Sequence, residues 1–478
     1  MSETLKEKTA KGLFWGAMNN GAMQLIGLAF GIVLGRLLCP ADYGMIAMIS
    51  VFSLVANALQ GSGFVSALVN LSNPTDNDYN SVFWFNISAG AVLYAVLFFA
   101  APWIAAYYNT PKLISLSRYA FLCIPLASMC TAQSAYLIKN MMVKQRAKSN
   151  VTATLTSSIV GVLMAFAGCS YWALATQTIV YNIINTSLFW HYSHWRPTLH
   201  IDFQPARQMF KFSCKILATN IIVIINNNVL NLLLGHYFTA HDTGNYNQAS
   251  QWNTKAYSMI QGMFDAVSHP VLADLREQPE RQLQAMRKLI RLCSFVVFPL
   301  MFGFGMVSHE FIVITITEKW IESADLLRLL SISGAVMPMT TIFTCLLFSK
   351  GRSDIFLYVT LIIGLLQIST MLLLWPWGIH CMVIAYVTIS VLGLFVWHYF
   401  VSRLINYRLL WFLKDTMPFA MSALVVMVIT YMATLSISNN VLLLLARVAM
   451  AAMLYYVVMR LAGAAILKEC IGFVKRKL

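Results

Sequence analysis

Long apolar runs are the feature that most restricts how this chain can fold. A helix that crosses the hydrocarbon core of a bilayer needs about 20 mostly apolar residues. Runs of this length follow one another along nearly the whole sequence, and the breaks between them are too short to hold a water-soluble core. Only 11% of the 478 residues are charged, against about 25% in ordinary soluble domains. We therefore predict an all-α integral membrane protein and exclude a soluble enzyme.

The predicted transmembrane helices number about fourteen. They cover residues 12–36, 44–70, 81–104, 113–138, 149–168, 171–192, 212–236, 244–268, 289–308, 324–348, 354–376, 379–402, 417–436 and 440–463. Lys and Arg concentrate in one alternating set of connections, whereas the other set holds only Arg36, Lys112 and Lys319. Because cytoplasmic loops carry the excess of cations, we expect both termini in the cytoplasm. The same distribution explains the net charge of +15 without a nucleic-acid partner.

An internal similarity recurs at an offset of 200 residues. Leu34-Gly35 followed by Asp42 and Gly44 corresponds to Leu234-Gly235 followed by Asp242 and Gly244, and Asn20 corresponds to Asn220. Six predicted helices separate the copies, so the repeat keeps its orientation in the membrane. We expect two parallel six-helix lobes around a central cavity, plus two C-terminal helices. Locally, we expect each Asp to cap the helix that it precedes.

The predicted domain boundaries follow from this repeat. The N-terminal lobe is expected at 1–195, a cytoplasmic linker with two prolines at 196–211, and the C-terminal lobe at 212–403. The last two helices and the cytoplasmic tail occupy 404–478.

Polar side chains recur at helical spacing within several spans, where burial in hydrocarbon is costly. Steps of three or four place them on one face of a helix. In the eighth span this stripe consists of Asn247, Gln251, Lys255, Ser258, Gly262 and Asp265; in the seventh it consists of Asn220, Asn227, Asn228 and Asn231; in the first it consists of Asn20 and Gln24; in the second it consists of Asn57, Gln60 and Gly61. A cavity lined by these faces would suit sugar hydroxyls. Alternatively, the amides only join helices through hydrogen bonds.

Charged residues inside the spans need a partner, water or an anion. Lys255 is the candidate for binding a pyrophosphate. Asp265 lies about 15 Å away along the helix axis, too far for direct pairing, and it is a candidate for binding a coupling proton or cation. Arg118 is expected to add positive charge to the cavity, whereas Arg447, outside the repeat, is expected to bind lipid or to pair locally.

Several motifs together resemble a known family. They are Gly12-Leu13-Phe14-Trp15, Gly35-Arg36-Leu37-Leu38, Asp42-Tyr43-Gly44, Gly244-Asn245-Tyr246-Asn247, Glu318-Lys319-Trp320 and Leu326-Leu327-Arg328-Leu329-Leu330. In this order they resemble polysaccharide flippases of the Wzx type, in the MOP (multidrug, oligosaccharidyl-lipid, polysaccharide) exporter superfamily, and within it the colanic acid exporter-like branch.

The resemblance implies a function. It implies alternating access and a polysaccharide repeat unit on undecaprenyl pyrophosphate, moved from the inner to the outer leaflet of the bacterial inner membrane. It also implies a polysaccharide polymerase and an initiating sugar-phosphate transferase as partners.

Other functions stay open at this stage. A cation-coupled antiporter of the same superfamily would share the fold, although such proteins use an acidic intramembrane site. A flippase of lipid II-type precursors would differ only in substrate. A membrane glycosyltransferase or polymerase would need a large outer loop, and the outer loops here are short. The sequence carries no Walker loop and no H-E-x-x-H motif, so we expect no enzyme activity, no metal and no cofactor.

Overall fold

The computed structural model describes residues 5–61, 63–199, 202–463 and 466–467. Helices make up almost all of this part of the chain, and no β-strand occurs within it. In chain order the helices are α1 Leu5–Leu37, α2 Pro40–Gly61, α3 Phe64–Asn70, α4 Asp76–Tyr107, α5 Leu113–Ala120, α6 Cys123–Ser128, α7 Thr131–Lys139, α8 Val143–Phe166, α9 Tyr171–Tyr192, α10 Gln204–Tyr237, α11 Ala240–Asp274, α12 Pro279–Met306, α13 Ser308–Ile316, α14 Ile321–Ser349, α15 Ser353–Leu374, α16 Ile379–Ile405, α17 Leu409–Ala433 and α18 Asn440–Leu461. The all-α prediction is confirmed.

Many of these helices are long and apolar enough to cross a membrane. Within the described residues eleven meet that condition, or twelve if the bent pair Leu113–Ser128 and Thr131–Lys139 forms one span. The predicted number of fourteen is not confirmed by this criterion. The two remaining predicted spans, 171–192 and 244–268, coincide with the long helices α9 and α11, which carry more polar residues. The chain is a multi-pass membrane protein.

The two Asp residues of the repeat cap their helices in the same way. The Asp42 carboxylate accepts a hydrogen bond from the backbone N–H of Cys39 at 3.0 Å. The Asp242 carboxylate accepts the corresponding bond from Thr239 at 3.1 Å, and the Thr239 hydroxyl adds another at 2.7 Å. Each Asp is the third residue of its helix and does not precede it as predicted, and its carboxylate satisfies the N–H group of the residue just before the helix. The predicted capping role of both residues is confirmed.

The two glycines of the repeat lie where α2 meets the start of α11. A Cβ atom on Gly44 would strike the carbonyl of Ala240, and a Cβ atom on Gly244 would strike the carbonyl of Pro40. The contacts are reciprocal, because Ala240 and Pro40 are themselves 200 positions apart. Only glycine permits this close approach of two backbones, which explains why the repeat retains Gly at both positions.

The chain divides into two compact units, Met1–Gly244 and Asn245–Leu478. In the first unit α8 packs on α1 and α9, α4 packs on α5 and α6, and α10 packs on α2. Among its described residues, buried apolar side chains cluster around Phe121 and Ile124 and around Phe83 and Trp195.

In the second unit α12 is central. It packs against α14 and α17, while α16 packs against α14 and α15. One large apolar cluster joins these helices and includes Phe343 and Phe412. The lobe boundaries predicted from the sequence, with a linker at 196–211, stay a prediction.

Candidate functional site

The polar stripe of the eighth predicted span lies on α11, a single helix that runs through the stripe without interruption. The side-chain amide of Gln251 donates a hydrogen bond to Oδ1 of Asn247 at 2.6 Å. The Gln251 side chain is exposed, and Asn247 and Ser258 are half-buried. Because this bond leaves the Gln251 carbonyl and the Asn247 amino group available, the pair offers both an acceptor and donors. Such a pair is suited to sugar hydroxyl groups.

Lys255 is the cation of this stripe. Its Nζ atom lies 4.5 Å from the centroid of the buried Trp252 ring, one turn earlier on the same helix. Within the described part of the chain no carboxylate forms an ion pair with it. The face of the aromatic ring partly stabilises the charge of the ammonium group, and the group still has three N–H donors. The geometry therefore leaves Lys255 able to bind an anionic ligand.

Asp265 is exposed at the far end of the stripe. Its Oδ1 atom accepts a hydrogen bond from the thiol of Cys345 on α14 at 3.3 Å. The expectation that Asp265 does not pair with Lys255 agrees with this arrangement. Its coupling role stays a prediction.

Neighbouring polar residues tie α11 to α14 and so fix the stripe. The Asn245 amide donates to the Glu322 carboxylate at 2.7 Å, and the Ser323 hydroxyl donates to Asn245 at 2.9 Å. More than four turns further on, the Gln261 amide donates to the Thr341 hydroxyl at 2.8 Å. These bonds hold the helix at both ends of the segment that carries Lys255.

The Asn residues of the seventh predicted span lie on α10, in the first unit. Asn231 is buried and its Oδ1 atom has no hydrogen-bond partner among the described residues. The Asn228 amide donates to the carbonyl of Ile224 within its own helix at 2.9 Å. Asn227 is exposed and Asn220 is half-buried, so both are accessible to a ligand.

The polar residues of the first predicted span lie on α1. Asn20 and Gln24 are exposed, and Asn20 accepts a weak hydrogen bond from Asn19 at 3.4 Å. Gln60, on α2, lies outside the residues whose side chains the structure describes.

Arg118 has partners on α4. Its guanidinium lies 4.3 Å from the centroid of the Phe98 ring and donates to the Phe98 carbonyl at 3.4 Å. The Tyr94 hydroxyl donates to the Arg118 carbonyl at 3.2 Å. These contacts hold α5 against α4. The predicted contribution of Arg118 to a cationic cavity stays a prediction.

Sequence reasoning missed a buried ion pair in the second unit. Arg447 on α18 donates to the Glu310 carboxylate on α13 at 2.7 Å, and both side chains are 6% exposed. The Thr434 hydroxyl accepts a further bond from Arg447. Both charged residues line a cavity of about 670 Å³. Of the two roles expected for Arg447, local pairing is the one observed. Because a deep Arg needs a partner, Glu310, an acid within an apolar segment, was the available signal.

A group of buried amides in the first unit was missed in part. Gln133 is fully buried, and neither its Nε2 nor its Oε1 atom has a hydrogen-bond partner among the described residues. The same holds for the Oδ1 atoms of Asn57, Asn86 and Asn185. Buried amides without partners point to water or a ligand. Of these residues the sequence analysis identified Asn57 alone, because the others do not belong to a run of polar residues at helical spacing.

Comparison with known proteins finds relatives whose names refer to polysaccharide biosynthesis and transport. The "Lipopolysaccharide biosynthesis protein WzxC" of Escherichia coli is 24% identical over 362 residues, which cover 74% of this chain and 72% of the relative. The "Teichuronic acid biosynthesis protein TuaB" of Bacillus subtilis is 22% identical over 74% of both chains. The "Succinoglycan biosynthesis transport protein ExoT" of Rhizobium meliloti is 22% identical over 76% of this chain and 74% of its own.

Solved structures share the fold. The lipid II flippase MurJ, in its inward closed conformation, is 14% identical and matches 94% of this chain and 99% of its own with a TM-score of 0.73. An inward-facing multidrug resistance MATE family transporter of the MOP superfamily is 12% identical and matches 80% of this chain and 96% of its own, with a TM-score of 0.60. At these identities the likeness concerns the fold.

The family assignment rests on the length of the matched segment. The model of a family described as "Polysaccharide biosynthesis protein" matches residues 33–325, which is more than half of the chain. The resemblance seen in the sequence motifs is thereby confirmed, and this chain belongs to the polysaccharide biosynthesis protein family.

Proposed function

We propose that this protein is a flippase that moves polysaccharide repeat units, linked to undecaprenyl pyrophosphate, from the inner to the outer leaflet by alternating access. Family membership and relatives described as polysaccharide biosynthesis and transport proteins support the class of substrate. The observation that carries the proposal is the polar face of α11, with Lys255 available to an anion and an amide pair on the preceding turns.

The chemistry of that face fits the two parts of such a substrate. The Lys255 ammonium offers charge-assisted hydrogen bonds to a pyrophosphate, and these are about twice as strong as bonds between neutral groups. Asn247 and Gln251 on the preceding turns, and Ser258 on the following turn, offer weaker and more adaptable bonds to sugar hydroxyls. The face therefore combines one strong contact to the pyrophosphate of the carrier with several weak, adaptable hydrogen bonds to the glycan.

The same face argues against a cation-coupled drug antiporter, whose substrate is cationic. Lys255 would repel such a substrate, and the acid on this stripe, Asp265, lies at its exposed end. Asp265 remains our candidate for a coupling proton or cation. On this proposal the remaining predicted ligands, Asn220, Asn227, Asn231, Asn20, Gln24, Gln60 and Arg118, extend the polar path.

The setting of this activity is also part of the proposal. We place the protein in the bacterial inner membrane with both termini in the cytoplasm, on the distribution of Lys and Arg among the connections. It performs transport without covalent chemistry. A polysaccharide polymerase and an initiating sugar-phosphate transferase would act after and before it on the same lipid carrier.

The test is leaflet movement of an undecaprenyl-pyrophosphate oligosaccharide in proteoliposomes. We expect transport by the native protein, a loss of tenfold or more in Lys255→Ala, and a larger loss in Lys255→Glu, because the reversed charge repels the pyrophosphate. Lys255→Arg should retain part of the activity. Lys112→Ala removes an exposed cation of the first unit and is the matched control, with native transport expected.

Two results would contradict the proposal. Native transport rates in both Lys255→Ala and Lys255→Glu, with equal incorporation into vesicles, would make Lys255 a structural residue. Export of small organic cations by the native protein, without movement of any lipid-linked glycan, would favour the antiporter.

A further inference from the structure

A second cationic site lies on α12 and α17, away from the α11 stripe. The carboxylate of Asp415 is fully buried and accepts hydrogen bonds from two arginines of α12. Arg287 donates through Nε at 2.8 Å and through Nη2 at 3.1 Å, and Arg291 donates through Nε at 2.5 Å. The Tyr407 hydroxyl donates a fourth bond at 2.9 Å. One buried acid therefore orients two guanidinium groups.

Both guanidinium groups keep donors for a further acceptor. The side chains of Arg287 and Arg291 are 25% and 42% exposed, and each guanidinium carries five N–H donors. Within the described part of the chain, Asp415 is the one side chain to which they donate. Arg287 also lies 5.1 Å from the centroid of the Trp411 ring, and Arg408 lies 5.4 Å from the same ring. The arginines are thus held in fixed positions before any ligand arrives.

The local charge is strongly positive. Residues 287–291 and 408–415 contain the cations Arg287, Lys288, Arg291, Arg408 and Lys414, and their one acid is Asp415. Asp415 is buried behind the two arginines, which remain partly exposed. A fixed pair of guanidinium groups with spare donors matches the geometry of a phosphate group.

On both helices these charged residues lie where the polar part of the helix ends and its apolar part begins, as at a membrane interface. No charged residue follows Arg291 within α12, and none follows Asp415 within α17. On α17 the exposed side chains Leu410, Met417, Met421 and Leu424 recur at helical spacing, with Lys414 on the same face. In a membrane-spanning helix such an exposed apolar stripe contacts acyl chains. A ligand at the arginines would therefore have its phosphate at the interface and its chains along this stripe.

We propose that Arg287 and Arg291, oriented by Asp415, bind the phosphate of an anionic phospholipid in the cytoplasmic leaflet. Lys414 and Arg408 add long-range attraction, and the α17 stripe receives the acyl chains. The occupant is a resident membrane lipid, because the exposed apolar stripe below the site is the surface of a helix in contact with bilayer lipid. The site does not depend on the proposed transport function.

Lipid binding to the purified full-length protein tests this inference. Native mass spectrometry should detect retained phosphatidylglycerol and markedly less phosphatidylcholine at the same concentration. Arg291→Gln and Lys414→Gln should each weaken retention of phosphatidylglycerol about fivefold, the effect expected for one interfacial cation. Arg352→Gln is the matched control with native retention expected, because Arg352 is an equally exposed arginine paired with Asp354.

The competing phosphate sources give separate outcomes. Equal retention of phosphatidylglycerol by the native protein, Arg291→Gln and Lys414→Gln would overturn the proposal, as would equal retention of phosphatidylcholine and phosphatidylglycerol by the native protein. Displacement of phosphatidylglycerol by millimolar inorganic phosphate would reduce the site to one for free phosphate. Stoichiometric displacement by undecaprenyl pyrophosphate at equal concentration would assign it to the transported lipid. Either of these two displacements would also overturn the assignment to a resident phospholipid.

Discussion

Helices α2 and α11 begin alike and continue differently. Both start with a carboxylate that caps the first turn, and both carry a glycine that meets the backbone of the other copy. Beyond that point the positions 200 residues apart diverge. Asn247, Gln251 and Lys255 of α11 correspond to Ala47, Val51 and Val55 of α2. The duplicated part of the sequence therefore specifies how the two helices begin, whereas the polar residues at positions 247, 251 and 255 occur in one copy only.

Two kinds of buried polar group show a related contrast. Neutral amide atoms such as those of Gln133 in the first unit and Asn253 in the second are buried without a hydrogen-bond partner among the described residues. The buried charges of the second unit are paired, as in Glu310 with Arg447 and Asp415 with Arg287. A neutral amide can exchange partners at modest cost, whereas a buried charge cannot lose its partner. Substitution within a charged pair should therefore destabilise the protein more than substitution of such an amide.

The largest expected effect comes from separating the buried pair of the second unit. Glu310→Ala leaves Arg447 as an uncompensated buried cation and should lower the free energy of unfolding by about 3–5 kcal/mol. The measurement is thermal or denaturant unfolding in detergent. Glu310→Ala combined with Arg447→Met should recover much of the loss, because no unpaired charge remains.

Gln133→Met is the matched change in the first unit. Because the Gln133 amide has no hydrogen-bond partner among the described residues, its replacement by an apolar side chain of similar length should change the free energy of unfolding by less than about 1 kcal/mol. A destabilisation by Gln133→Met as large as that by Glu310→Ala would remove the proposed contrast between paired charges and unpartnered amides.

The second prediction moves the charge from one copy to the other. Lys255→Val combined with Val55→Lys keeps composition constant and places the cation at the corresponding position of α2. We expect glycan transport to stay reduced tenfold or more, because α2 has Ala47 and Val51 in place of the amide pair that accompanies Lys255. Leaflet movement in proteoliposomes measures this. Recovery of native transport in the double variant would mean that the two copies are interchangeable.

The fold was largely predictable from the sequence, and the site only in part. Apolar runs and cation placement located the long helices, because both follow from the cost of transferring polar groups into lipid. The stripe on α11 was found because its residues share a helical face. Glu310 was missed, since its partner Arg447 is 137 positions away and no local pattern joins them. Arg118 was expected in a cavity, yet its guanidinium stacks on Phe98, a contact that helical spacing cannot reveal.

The third prediction concerns the feature that the two copies share. Gly44→Ala and Gly244→Ala should each destabilise the protein by about 1–3 kcal/mol, the usual cost of overpacking. The effects should be equal, because each Cβ atom would strike a backbone carbonyl of the other copy. Unfolding of the two single variants in detergent measures this. Destabilisation by only one of the two variants would show that the glycine contacts between α2 and the start of α11 are not reciprocal.

The smallest expected effect is the loss of one neutral contact on the α11 face. Gln251→Ala removes an amide that hydrogen-bonds to Asn247 and, on our proposal, one sugar hydroxyl. A neutral hydrogen bond contributes about 0.5–1.5 kcal/mol, so transport at limiting substrate should fall roughly two- to tenfold. Val51→Ala, at the corresponding position of α2, is the control and should leave transport unchanged. Equal losses in the two variants would indicate that packing, and not the amide, limits transport, whereas a loss in Gln251→Ala alone would place glycan contacts in the second copy.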